Sequence, residues 1–98
     1  MKLMGNPDPS DEEVQQSLQA VLTAVGTVRS TLSEQDAVLL EACLRSGVAP
    51  SADNAAVRRG FLRVRSKVDH LRLELDEGRE TRFVRQLESA GIYRVPPE

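Results

Sequence analysis

Val14, Leu18, Val21, Val25, Val28 and Leu32 advance along the chain in alternating steps of four and three, and Val57, Phe61, Val64, Val68, Leu71 and Leu75 repeat the same steps. Side chains spaced in this way fall on one narrow face of an α-helix. Two helices are therefore expected, each burying a heptad-like seam against the other or against a second copy of the chain. Between them, Ala37, Val38, Leu39, Leu40, Ala42, Cys43 and Leu44 cover more than one face. That predicts a helix near 34–46, the most buried of the set. After Leu75 the phase slips, because Phe83, Val84 and Leu87 do not continue the stripe. The slip predicts a break near Gly78 and a fourth helix ending before Gly91. The rival is one unbroken helix over 54–90, whose outer face would show Leu62, Leu73, Phe83 and Leu87 and demand a partner.

Local signals set the boundaries. Ser10 with Glu13 fits a capping box, and Ser33 with Asp36 repeats the start signal ahead of the second helix. Gly47 is a natural helix stop, and Ser51 or Asp53 can cap the third helix. Gly26 costs the first helix about 1 kcal/mol relative to Ala, a cost that close approach of a neighbouring helix would offset. Pro7 and Pro9 make residues 1–9 a flexible lead. Residues 10–95 form a single helical domain in which Ile92, Tyr93 and Val95 fold back on the core, and 96–98 form a frayed end. The expected fold is an all-α bundle of three or four helices, with the first and third antiparallel along the seam and the second packed across them.

Composition narrows the function. Of 98 residues, 40% are hydrophobic but only 3% aromatic, so the core is built from Val, Leu and Ala, which favours helix packing over a large ligand cavity. One cysteine and one histidine rule out a disulfide within these residues and the usual Cys/His zinc sites. No signal peptide or membrane-length apolar run is visible, so the expected location is the cytoplasm. No cofactor and no metal site are expected.

Charge supplies the one distinctive cluster. The formal net charge is −2, yet residues 51–98 hold ten Lys or Arg against eight Asp or Glu. With Val57, Val64 and Leu71 at d positions of the heptad, Arg58, Arg65 and Arg72 all fall at e and flank the seam, and the matching flanks of the first helix are mostly neutral. These three arginines are the candidate partner-binding row, their guanidinium forks suited to carboxylate or phosphate. The competing reading pairs them inside the protein or a dimer, with Glu34, Glu41, Glu74 and Glu77 as available carboxylates.

Residues 32–48, followed by the basic segment 54–68, resemble the helix, turn and basic helix of helix-turn-helix regulators. The resemblance implies DNA binding through Arg59, Arg63 and Lys67, stacked at i, i+4 and i+8 away from the seam. Catalysis has less to build on. His70 is adjacent to Asp69 in sequence but not in direction on a helix, Cys43 falls late in an apolar helix, and no cluster converges. The expected function is thus that of a non-catalytic interaction, adaptor or assembly protein acting through helix-helix contacts, as a homodimer with a further protein partner unspecified. The alternative is a small DNA-binding regulator using the basic helix at 54–75.

Overall fold

The computed structural model describes residues 9–96, which form an all-α bundle of four helices. These are α1 (Pro9–Arg29), α2 (Glu34–Ser46), α3 (Ala55–Glu74) and α4 (Glu77–Ser89). The expected lead falls outside the described residues except for Pro9. That residue opens α1 one position early, where a ring without an amide hydrogen costs nothing. Of the Ser10/Glu13 capping box, the serine side chain is not described, and the glutamate accepts a 2.7 Å hydrogen bond from Arg79 of α4 instead. Residues 97–98 of the expected frayed end also lie outside the described residues.

The two stripes meet within one chain. Val14, Leu18, Val21 and Val28 of α1 are buried with Val57, Phe61, Val64 and Val68 of α3, while Val25, Leu32, Leu71 and Leu75 pack at the margin. The helices are antiparallel, since Val28 of α1 abuts Gly60 near the start of α3, and Glu13 and Ser17 lie beside Leu71 and Leu75 near its end. Phe83 and Leu87 of α4, Leu40 and Leu44 of α2, and Tyr93 complete the core. Both seams are therefore consumed internally, and neither calls for a second copy of the chain.

Several boundaries follow the local chemistry. Ser33 accepts the Asp36 amide at 3.2 Å, and Gly47 ends α2 in the left-handed conformation at φ 76°. The third helix departs from expectation: neither Ser51 nor Asp53 caps it, and Asn54 takes the cap position without a side-chain bond among the described residues. The α3–α4 break also falls earlier than Gly78. Leu75 leaves the helix with extended backbone, and Asp76 caps α4 by accepting the Arg79 amide at 2.9 Å. Gly78 thus lies inside the first turn of α4. The break excludes the unbroken helix, turning Phe83 and Leu87 fully into the core.

Two packing expectations are corrected. The helix expected to be most buried, α2, contributes only Leu40 and Leu44 to the buried core and leaves Val38 64% exposed. The reason is that α2 packs chiefly on α3, whereas α4 takes the place beside α1 that α2 was expected to fill. Gly26, expected to permit close approach, is exposed and has open space around it. Gly60 has that role instead: it is buried, and a Cβ there would collide with Val28 Cγ1. The tail does fold back. Tyr93 is 1% exposed with its ring 6.1 Å from Phe61, and the Arg94 amide donates to Leu44 O at 2.8 Å.

Candidate binding face

The α1–α3 pair is covered on one side by α2, α4 and the tail. Among the described residues its other side is lined by α1, α3 and the residues that directly follow them. The middle of this open side is a shallow groove of about 680 Å³, whose α1 wall is Ala20, Thr23, Ala24 and Thr27 and whose α3 wall is Arg63, Ser66, Lys67 and His70. Toward the start of α3 it continues past Thr31, Leu32, Ala56 and Arg59, and toward the end of α3 past Glu13, Gln16, Ser17 and Glu74. Small side chains floor the groove because Ala, Thr and Ser alternate with the seam valines at helical spacing. Thr27 and Thr31 turn their hydroxyls back on Thr23 O and Val28 O, at 3.0 and 2.7 Å, which leaves their methyl groups as the free part of the side chain.

The two sets of cations read from the sequence meet different fates. Arg58 donates to Pro50 O at 3.0 Å and holds the α2–α3 connection. Arg72 is clamped by Glu80 of α4, its Nε and Nη2 both 2.8 Å from one carboxylate oxygen. Arg65 is exposed and lines a separate hollow with Asp69, Arg72, Leu73, Tyr93 and Val95. The row that flanks the seam is thus largely a structural one, and the structure does not bring its three members together around a common opening. Its carboxylate is one that the sequence reading passed over. Glu41 pairs with Arg29 at 2.9 Å and Glu74 with His70 at 3.5 Å, whereas Glu80 reaches Arg72 across the α3–α4 turn.

Arg59, Arg63 and Lys67 are brought together. All three are exposed along one edge of the groove, and none makes an ion pair or a side-chain hydrogen bond among the described residues. Their spacing of four residues sets them one turn apart, over a span of about 12 Å. The groove is also polar along its length, running from these cations to Glu74 and Glu13 at the other end. Both of those carboxylates already have partners, His70 and Arg79.

The remaining reactive groups are engaged singly. Cys43 is half-buried against the core, and His70 is exposed. Asp76 is committed to its cap and Glu80 to Arg72. Among the described residues no three His, Cys, Asp or Glu side chains are placed to hold a metal ion, and no helix is long and apolar enough to cross a membrane. Burial raises the Tyr93 hydroxyl above its ordinary pKa of 10.0, with Asp69 acting in the same sense and Arg65 and Arg72 opposing. No protein-family model, curated protein or solved structure matches the chain.

Proposed function

We propose that the protein is a non-catalytic helical interaction module that works through helix-helix contacts on the open α1–α3 face. One observation carries the reading: a face lined by two helices, floored by small side chains, keeps three cations in a row without carboxylate partners among the described residues. Arg29, Arg72 and Arg79 are paired, and the other exposed arginines without an ion pair or a side-chain hydrogen bond among the described residues, Arg45, Arg65, Arg85 and Arg94, do not line a common groove, so the row is set apart by its alignment. The small floor lets a third helix approach closely, as packed helices need. The one imidazole on the face, His70, lies against Glu74 and makes no hydrogen bond to the groove hydroxyls among the described residues, so the reading rests on contacts rather than catalysis.

Both stripes are buried within one chain, so neither seam is left over for self-association. Under this proposal light scattering gives the mass of a single chain for the free protein, and the occupant of the face comes from another molecule. The direct test places a photo-cross-linking residue at Ser66, in the groove, and at exposed Asp53 as control, in the full chain expressed in its own cells. The expected result is a discrete protein adduct at Ser66 and none at Asp53. Equal labelling at both positions, or none at Ser66, would overturn the proposal.

A further inference from the structure

We infer that the occupant of the α1–α3 face is an acidic amphipathic helix of a partner protein. Its carboxylates, one helical turn apart, lie against Arg59, Arg63 and Lys67, and its small or aliphatic side chains lie over Ala20 and Ala24. This rests on the interaction-module reading and adds the chemistry of the partner. The first argument is spacing. Three cations at i, i+4 and i+8 repeat once per helical turn, so a helix lying alongside α3 with acidic residues at the same interval meets all three at once.

The second argument is the floor. Ala20, Ala24 and the outward methyl of Thr27 form a low ridge beside the cations, complementary to apolar side chains one position round from the carboxylates. A nucleic acid uses the cations but gains little from this floor, and among the described residues the groove lining offers a base one ring to stack on, the His70 imidazole, which lies 3.5 Å from the Glu74 carboxylate. The third argument is direction. Because the groove runs from Arg59 to Glu74 and Glu13, the acidic end of the occupant lies over the start of α3, and its far end is neutral or basic. The large exposed apolar side chains Val38, Val48 and Leu73 do not line this groove, so charge carries much of the affinity and binding weakens as salt rises.

The test titrates the full chain into three fluorescent probes and follows anisotropy at low and high salt. One probe is a helical peptide of about four turns, with Glu at three positions four apart beside a stripe of Ala and Leu. The second is the same peptide with Gln for each Glu, and the third is a short DNA, duplex or single-stranded. The Glu peptide is expected to bind saturably, with the Gln peptide and the R63E/K67E protein each weaker by about tenfold or more. Both exchanged side chains are exposed, so R63E/K67E melts like the parent, and K67E alone gives an intermediate loss. No saturable binding of the Glu peptide, or binding that ignores both the Glu→Gln exchange and the charge reversal, would overturn the inference. So would DNA binding tighter than the peptide and abolished by R63E/K67E, which would assign the row to phosphates. A Ser66 protein adduct in cells with no peptide binding sinks the partner chemistry alone, whereas absence of both sinks the module reading as well.

Discussion

Two glycines within helices should respond to the same substitution with opposite sign. Gly26 and Gly60 each gain about 1 kcal/mol in helix propensity on replacement by Ala. At Gly26 nothing lies within 4 Å of the added Cβ, so the gain is realised in full. For a domain of this size that raises Tm by about 4–8 °C. At Gly60 the new methyl enters space occupied by Val28 Cγ1, while Leu40 Cδ1 at 3.8 Å makes only ordinary contact. Valine cannot swing clear, because its branched Cβ has one favoured rotamer in a helix, so α1 and α3 must separate slightly. Overpacking of this kind costs about 1–3 kcal/mol, which cancels or outweighs the propensity gain and leaves Gly60→Ala about 1 kcal/mol less stable than the parent. A double-mutant cycle isolates the contact. Val28→Ala alone costs about 2 kcal/mol in lost burial and cavity, but in the Gly60→Ala background the clash disappears, giving a favourable coupling of about 1–2 kcal/mol. Urea unfolding followed by circular dichroism measures the parent and all four variants of the series. Equal stabilisation by Gly26→Ala and Gly60→Ala, or additive effects of Gly60→Ala and Val28→Ala, would refute the packing of α1 on α3 described above.

Three other outcomes follow from the same contacts. Glu80→Ala leaves half-buried Arg72 with only Asp69 at 4.0 Å and should cost about 1 kcal/mol, a loss that shrinks in high salt; an unchanged urea midpoint would show that the clamp contributes nothing. The chain has one tyrosine and no tryptophan, so tyrosinate absorbance reports Tyr93 alone, and it should develop above the ordinary pKa of 10.0 in the folded protein. Because the folded-state pKa is the raised one, the associated stability is fully present below 10.0 and is lost as pH climbs through the folded value; tyrosinate forming at the unfolded-peptide pH would contradict the burial. Tyr93→Ala, which empties a buried site beside Phe61, should cost about 3–5 kcal/mol, and a loss under 1 kcal/mol would mean the tail does not anchor the core.

The parts of this fold legible in the sequence are those fixed by neighbours along the chain. The valine and leucine stripes, the Ser33 cap and the Gly47 stop rest on local periodicity or on a cap within one turn, and the return of Tyr93, though made by distant contacts, is signalled by an apolar cluster just past a helix end. What escaped depends on where distant elements come to rest. Gly26 and Gly60 look alike in sequence, and only the rotation of α1 against α3 decides which one meets a side chain. Val38 reads as core because its helix is apolar on several sides, yet α2 has one main neighbour and leaves that side to solvent. The break at Leu75 and Asp76 was half visible: Asp76 with Glu77 and Glu80 is a fair helix start, but Gly78 drew attention two residues too far.

The arginine rows show the same division. Heptad register sets Arg58, Arg65 and Arg72 on one flank of the seam, but Arg59, Arg63 and Lys67, expected away from it, line the open edge of the same α1–α3 pair. Which row stays unpartnered was decided by α4, whose reversal at Asp76 delivers Glu80 to Arg72. No local pattern announces an ion pair across a turn whose position is itself uncertain in sequence. Nor does the sequence reveal that α4 lies beside α1 on the core side, which is what leaves the opposite face of the α1–α3 pair open.

The claim that this open face is where the protein acts is tested most directly by mapping amide chemical shifts of the labelled chain during titration with the Glu-bearing helical peptide. The account predicts shifts concentrated at Thr23, Thr27, Arg59, Arg63, Ser66 and Lys67, with α2, α4 and the hollow around Arg65 and Tyr93 unmoved. Shifts centred on Arg65, Leu73 and Tyr93, or none along the α1–α3 groove at saturating peptide, would contradict it.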